Sequence, residues 1–529
     1  MEKDDVVFDT QPVDADAEAN SGPIVRHLEV DDKNDDAAAK FLAQSKPDAN
    51  VRVAARPDAE QLLAPATDEE VKKILRKVDP IVVPLCLFAF LMGSLDKVAI
   101  SQAAAVMNFR TDLSLVGQQY SWISSSIYFG AIAAIIPSLM MMQKVPANYY
   151  VATQVLIWGI ITTAQCGAKN FGAEMAIRII LGLFESVISV AFGIIVSTWW
   201  TRDEQPMRTA IMFTTCSSIV NGIVSYASVS YTGKVIKQWQ LLFLLIGSIT
   251  ILWSLLMFAF LPASPMTARW LTMRQRVIAT RRMGTNHTGL LNTTFKYKQA
   301  LEAVSDPKTW LVFVINILVN VPNGGLSTFN SIIVASLGFT NKQTTLLNMP
   351  TGVFSQIGAV LFSYIARRTG QHSYSAMASC IPPFLGTILL YVLPRSNQGG
   401  SLSALYLAYF FWGPYIIVMS LVYANTGGHT KKLITYAVSY IGYCVGNLIA
   451  PQTFQATDAP KYTTGVTTMM VCWALTLVLL LAYRFYVVYL NKCKAKQLAE
   501  YEAVVRPDDF LEEWQDQTDK ENPHFVYVF

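Results

Sequence analysis

The sequence predicts an all-α membrane protein with twelve transmembrane helices in two six-helix, pseudo-symmetric bundles. Three observations lead there. The 529-residue chain is 52% hydrophobic and 15% charged, with a mean hydropathy of +0.35, which is too apolar for an ordinary water-soluble protein. Apolar runs recur at about 80–104, 120–142, 149–167, 173–198, 207–231 and 239–261, then at about 309–335, 344–366, 373–394, 403–424, 432–455 and 464–490. A polar stretch of about 45 residues divides them six and six, the pattern of two related halves.

Taken in order, residues 1–66 are rich in Asp, Ala, Glu and Pro without periodicity and are expected to be a disordered tail. This end is acidic and lacks an apolar signal-peptide core, so the first spanning helix is expected to direct insertion. Asp68 to Asp79 reads as a short amphipathic surface helix, its acidic start and basic end suiting the helix dipole. Lys72, Lys73, Arg76 and Lys77 on it would face anionic lipid. The expected bodies are a first bundle at 67–261, a linker at 262–308, a second bundle at 309–490 and a tail at 491–529.

Loop charge sets the orientation. With both ends inside, the inner segments hold 23 Lys and Arg against 7 outside, so both termini and the linker are expected to be cytoplasmic, most simply at a plasma membrane. Asn286 and Asn292 match the glycosylation pattern but fall on that inner side and are expected to stay unmodified. The seven cysteines stand singly, with neither a disulfide framework nor metal spacing. The five histidines sit in tails or at loop edges, which leaves no His-based relay or metal site inside the membrane.

Two runs carry ionisable groups where lipid would surround them. In the fourth, Arg178, Gly182, Glu185, Ser189 and Gly193 advance by four, three, four and four residues and share one helix face. In the first, Asp96 and Lys97 lie about 24 Å from Pro80 at 1.5 Å per residue, a depth that Arg178 matches from the other side. Glu185 falls about 10.5 Å deeper, near the midplane. A charge inside hydrocarbon costs at least about 2.5 kcal/mol, so these four need partners or a polar cavity. Either they form an ion-pair staple between two helices, or they serve a passing ion.

The seventh run replaces charge with amides. Asn316, Asn320, Asn323, Ser327 and Asn330 are spaced four, three, four and three, interrupted by Pro322 and Gly324–Gly325. The tenth run breaks at Gly413–Pro414. If the halves are repeats, runs seven and ten correspond to runs one and four. The amide stripe then reads as a cavity wall or, alternatively, as hydrogen-bonding glue between helices.

At these residues the chain resembles the major facilitator superfamily, and within it the anion:cation symporters of the fungal allantoate permease group. The carriers of the resemblance are R-I-I-L-G-L-F-E-S at 178–186, L-D-K at 95–97, R-D-E-Q-P-M-R at 202–208, P-A-S-P-M-T-A-R-W-L at 262–271, N-T-G-G-H-T-K-K at 425–432 and G-N-L-I-A-P-Q-T-F at 446–454. Lys97 stands where some relatives have Arg, and Ala131 where relatives often have Tyr. The resemblance implies a central path lined by helices 1, 4, 7 and 10, and proton-coupled uptake of a small organic anion such as a ureido acid, vitamin or amino-acid-like nutrient.

On that reading Lys97, Arg178, Asn316, Asn320, Asn323 and Ser327 would bind substrate, while Asp96 and Glu185 would couple the proton. The implied partners are the organic anion, protons and the lipid bilayer, with no nucleic acid and no cofactor, and the chain is expected to work as a monomer. Two other functions fit the same fold. One is a proton-driven exporter, although the fifth run, Thr209 to Tyr231, lacks the expected G-x-x-x-G-P motif. The other is a non-transporting nutrient sensor. A membrane enzyme lacks any cluster of nucleophile, base or metal ligands.

Overall fold

The computed structural model describes residues 66–502 except 186–187, 202–203, 213–216 and 285–295, together with 517–522 and 524–529. Residues 1–65, and with them nearly all of the expected N-terminal tail, lie outside the described set, as do Asn286 and Asn292.

Twelve spans follow in the order the apolar runs predict. They are α1 (Asp68–Val106), α2 (Gln119–Lys144), α3 (Ala147–Ala164), α4 (Phe171–Glu185 and Ile188–Trp199), α5 (Gln205–Met212 and Ser217–Ser230) and α6 (Gln238–Phe260). The second set is α7 (Pro307–Ala335), α8 (Asn341–Leu347 and Met349–Thr369), α9 (His372–Val392), α10 (Gln398–Ala408 and Trp412–Ala424), α11 (His429–Thr453) and α12 (Thr463–Glu502). Among the described residues nine are long and apolar enough to cross a membrane on length and composition alone; α3, α4 and α5 complete the set. Large apolar side chains such as Ile136, Ile160, Leu252, Val360 and Val478 lie exposed along the outer faces, as lipid contact requires.

Helix starts follow local chemistry. Thr67 caps α1 in a reciprocal pair with Glu70, and Thr340 caps α8 in the same way with Gln343. Asp306 caps α7 just before Pro307, whose missing N–H costs nothing in a first turn. The expected surface helix at 68–79 is continuous with the first span. Pro80 and Pro84 sit inside it, and Ile74 and Val78 are already buried. The break expected at Gly413–Pro414 falls a little earlier, as a tight 3-10 turn at Tyr409–Phe411, while Gly413 and Pro414 themselves sit in the first turn of the second half of α10.

Packing repeats with a shift of six. In the first bundle α2 packs on α4, α3 on α6 and α1 on α5; in the second α8 packs on α10, α9 on α12 and α7 on α11. The bundles meet through α1 with α7, α2 with α11 and α5 with α8, and the last two contacts exchange under the same shift. This is two-fold pseudo-symmetry.

Where helices approach most closely, glycine permits it. A β-carbon at Gly182 of α4 would fall on the Ile127 carbonyl of α2, and one at Gly446 of α11 would lie 2.9 Å from Asn320 Cβ of α7.

Polar side chains gather at the two ends. At the end where α1 begins and α12 ends, Arg208 chelates Asp79, Arg274 clasps Glu70 at 2.6 Å and Arg282 meets Glu204 at 2.6 Å. The Arg274 hydrogen bonds hold the Glu70 carboxyl down at about 2. At the opposite end the bundles are joined directly. Tyr120 donates to the Thr328 carbonyl (2.7 Å), the Ser331 amide to Ser101 Oγ (3.2 Å) and Asn341 to the Val106 carbonyl (3.1 Å).

Candidate functional site

Asp96 and Lys97 are neighbours in the chain but point about 100° apart around α1, and this separates their partners. Asp96 is fully buried and turns into the first bundle. Its Oδ2 accepts from Trp158 Nε1 (3.1 Å) and Thr162 Oγ1 (3.0 Å) of α3. Lys97 turns toward the second bundle. Its Nζ lies 2.8 Å from Glu185 Oε1 of α4 and 6.0 Å from the ring centre of Tyr443 of α11. The lysine side chain is 29% exposed and that of its carboxylate partner 6%, so the pair has one open member and one closed member. Glu185 Oε2 is buried without a hydrogen-bond partner among the described residues. Gly93, one turn before Lys97, lies against Trp158, whose ring a β-carbon there would approach to 3.3 Å.

Arg178 lies two turns from Glu185 along α4 and does not join that pair. Its Nε is 3.6 Å from Glu174 Oε1, one turn earlier, and the two side chains are 1% and 0% exposed. The four ionisable groups expected to work together therefore divide. Lys97 and Glu185 meet at the junction of the bundles, while Asp96 and Arg178 are held inside the first. Glu174 was not among the expected site residues, although its place four residues before Arg178 puts it on the same face.

The amide stripe on α7 is brought together, largely with itself. Asn316 donates to the Val312 carbonyl (3.2 Å), Asn320 to the Asn316 carbonyl (2.8 Å), Asn323 to Asn320 Oδ1 (3.1 Å) and Ser327 to the Asn323 carbonyl (2.8 Å). Asn316 and Asn320 are buried where α7 packs on Gly442 and Gly446 of α11. Asn323 is 8% exposed and Ser327 more so, and these two reach furthest out of the seam. Asn330 bonds Asn348 of α8.

Beside Lys97 stands a group of tyrosines from both bundles, Tyr128 of α2, Tyr415 of α10, and Tyr436, Tyr440 and Tyr443 of α11. The α11 members are spaced four and three, a signal present in the sequence of the 432–455 run.

Two pseudo-symmetric six-helix bundles meeting around a central ion pair are the architecture of a membrane transporter. The sequence profile of the Major Facilitator Superfamily matches residues 85–451, and the chain belongs to that family. It is 37% identical over 461 residues to the MFS-type transporter cnsL of Penicillium expansum, covering 87% of this chain and 88% of that one. It is also 32% identical over 476 residues to the allantoate permease of Saccharomyces cerevisiae (87% of each chain) and 30% identical over 465 residues to the thiamine pathway transporter THI73 of the same yeast (86% of each). Among solved structures it shares its fold with a bacterial homolog of the human lysosomal transporter Spinster, in an inward-facing, unoccupied conformation. The TM-score is 0.52 at 12% identity, over 79% of this chain and 96% of that one. The protein is an integral membrane transporter of small molecules, of the allantoate permease-like group of fungal transporters.

Proposed function

We propose that the protein is a proton-coupled symporter for a small organic anion, with both termini cytoplasmic and the plasma membrane as its site, working as a monomer. The observation that carries this reading is the Lys97–Glu185 pair, 2.8 Å apart, with the lysine open and the glutamate closed. Lys97 is a cation that a substrate carboxylate can reach, and Glu185 competes for the same ammonium. When the substrate takes the ammonium, Glu185 loses its counter-charge in a buried place. An isolated carboxylate there is far costlier than its neutral acid, so Glu185 binds a proton as the anion binds Lys97. Its unpartnered Oε2 is the atom to receive it. One proton and one carboxylate then move together, and the loaded site is no more charged than the empty one.

In this proposal Asn323 and Ser327 offer hydrogen bonds to the rest of the substrate, and Asn316 and Asn320 support them from the α11 seam. Arg178 adds positive potential from behind, with Glu174 as its counter-ion, and Asp96 fixes α1 against α3 through Trp158 and Thr162. The allantoate permease among the relatives supports a small carboxylate as the cargo.

The test is uptake of a panel of radiolabelled small carboxylates into cells at pH 5 and pH 7.5. Saturable uptake that is faster at pH 5 and abolished in Lys97→Ala, at normal surface expression, is the expected result. Saturable uptake unaltered by Lys97→Ala would reduce the pair to a helix staple, and efflux without uptake would favour an exporter.

A further inference from the structure

The tyrosines beside Lys97 bear on what kind of anion fits. Tyr443 is their centre. Tyr440 stacks on it at 5.5 Å and 23°, Tyr415 is tilted against it at 5.8 Å, and Tyr128 meets it edge-on at 6.1 Å and 71° from the opposite bundle. Tyr436 continues the stack beyond Tyr440 at 6.5 Å and 17°. The Lys97 ammonium lies over the Tyr443 ring at 6.0 Å, and Glu185 holds that ammonium from α4. The Tyr443 ring therefore lies within reach of the cation, with Tyr440 stacked on it and Tyr128 meeting it at a steep angle.

A wall for packing alone has no need of this composition. Buried tyrosines stand elsewhere in these bundles, as at Tyr150, Tyr409 and Tyr483, but here five meet, and each brings a hydroxyl into a low-dielectric interior. A tyrosine face beside a partly accessible cation has a second use. A carboxylate bonded to Lys97 must leave the rest of its molecule close to the Tyr443 ring. Flat π-systems gain from offset or edge contact with aromatic faces, and saturated rings of similar size and charge do not gain equally.

We propose that Tyr443, flanked by Tyr440 and Tyr128, is a specificity-determining residue that selects anions whose carboxylate is joined to a flat, unsaturated ring over those with a saturated one. This rests on the reading of Lys97 as the cation for the substrate carboxylate. The preference expected from one aromatic contact is about threefold to tenfold in affinity.

The experiment is equilibrium binding of [14C]benzoate to the purified full-length protein in detergent, competed by unlabelled benzoate or cyclohexanecarboxylate, which have the same charge and ring size. Benzoate should compete about threefold to tenfold better in the wild type and in Tyr443→Phe. In Tyr443→Leu the two acids should become equal, and Tyr440→Leu serves the same comparison if that variant does not fold. Equal competition in the wild type, no saturable benzoate binding, or a preference that survives Tyr443→Leu overturns the inference. Lys97→Ala separates it from its premise. Saturable binding that keeps its ring preference without Lys97 refutes the cation's role and leaves the aromatic wall standing, whereas binding that needs Lys97 and ignores the ring refutes the wall alone.

Discussion

Glu185 meets Lys97 with one oxygen and, among the described residues, has no hydrogen bond at the other, and that asymmetry separates two kinds of failure at the residue scale. Gln at 185 mimics the protonated acid and cannot release the proton. Glu185→Gln should therefore keep exchange of labelled for unlabelled substrate across a membrane at equal pH, within about threefold of wild type. It should lose accumulation driven by a proton gradient, and retained accumulation with wild-type pH dependence would exclude Glu185 as the carrier. Asp96 is the contrasting case. Its partners are Trp158 and Thr162, so Asp96→Asn keeps an acceptor for both and should leave the pH dependence of uptake unmoved while lowering folded yield slightly. An uptake profile shifted along the pH axis in Asp96→Asn would transfer the coupling role to this residue. That four ionisable groups occupy two helices is legible from the sequence. Which of them meet is not, because adjacent residues on a helix diverge by about 100° and only packing fixes what each faces.

At the scale of elements, the chain's final segment is tied to the second bundle by charge. Asp519 is fully buried; its Oδ2 lies 2.6 Å from Lys308 Nζ at the start of α7, and its Oδ1 lies 2.6 Å from Lys431 Nζ at the start of α11. Tyr527 donates to the same carboxylate, and the Val528 amide donates to Asn425. Burial alone would raise the Asp519 carboxyl, but the two ammonium groups prevail and hold it at about 2. That lies below its ordinary 3.8, so its contribution to stability is complete above about pH 4 and is lost as pH falls toward 2. Asp519→Ala would leave Lys308 with Asp306 (3.6 Å) and Lys431 with Asp306 (3.1 Å) and Glu302 (2.9 Å) but remove the charged hydrogen bonds that dock the segment, and should cost about 1.5–3 kcal/mol, read as a lower melting temperature of the detergent-solubilised protein. A melting temperature within a degree of wild type would show the segment to be undocked. The composition of the tail gives no hint of this, since its partners are about 90 and 210 residues away. The α7–α11 seam is more legible. Glycines at 442 and 446 are visible in the run, and Gly446→Val, which would press a β-carbon to 2.9 Å from Asn320, should destabilise by about 1–3 kcal/mol in the same assay.

For the whole molecule, transport by alternating access requires that the bundles part where they now touch. Ser101 of α1 and Ser331 of α7 are joined at the end away from the start of α1, with the Ser331 amide 3.2 Å from Ser101 Oγ. The double variant Ser101→Cys, Ser331→Cys should lose uptake on oxidation and regain it with dithiothreitol, while either single variant stays active. Unchanged uptake in a fully cross-linked sample would mean this contact does not open. The sequence by itself determined the membrane, the twelve spans, their division into two repeats and the helices bearing charge, because hydropathy and helical period are local properties of the chain. Only the tertiary structure decided that Lys97 pairs with Glu185 and Asp96 with α3, that Asn316 and Asn320 lie in a seam, and that five tyrosines from two bundles meet beside one lysine. Those outcomes depend on how helices far apart in the chain rotate against one another, and a helix carries no record of which neighbour its faces will find until the bundles close.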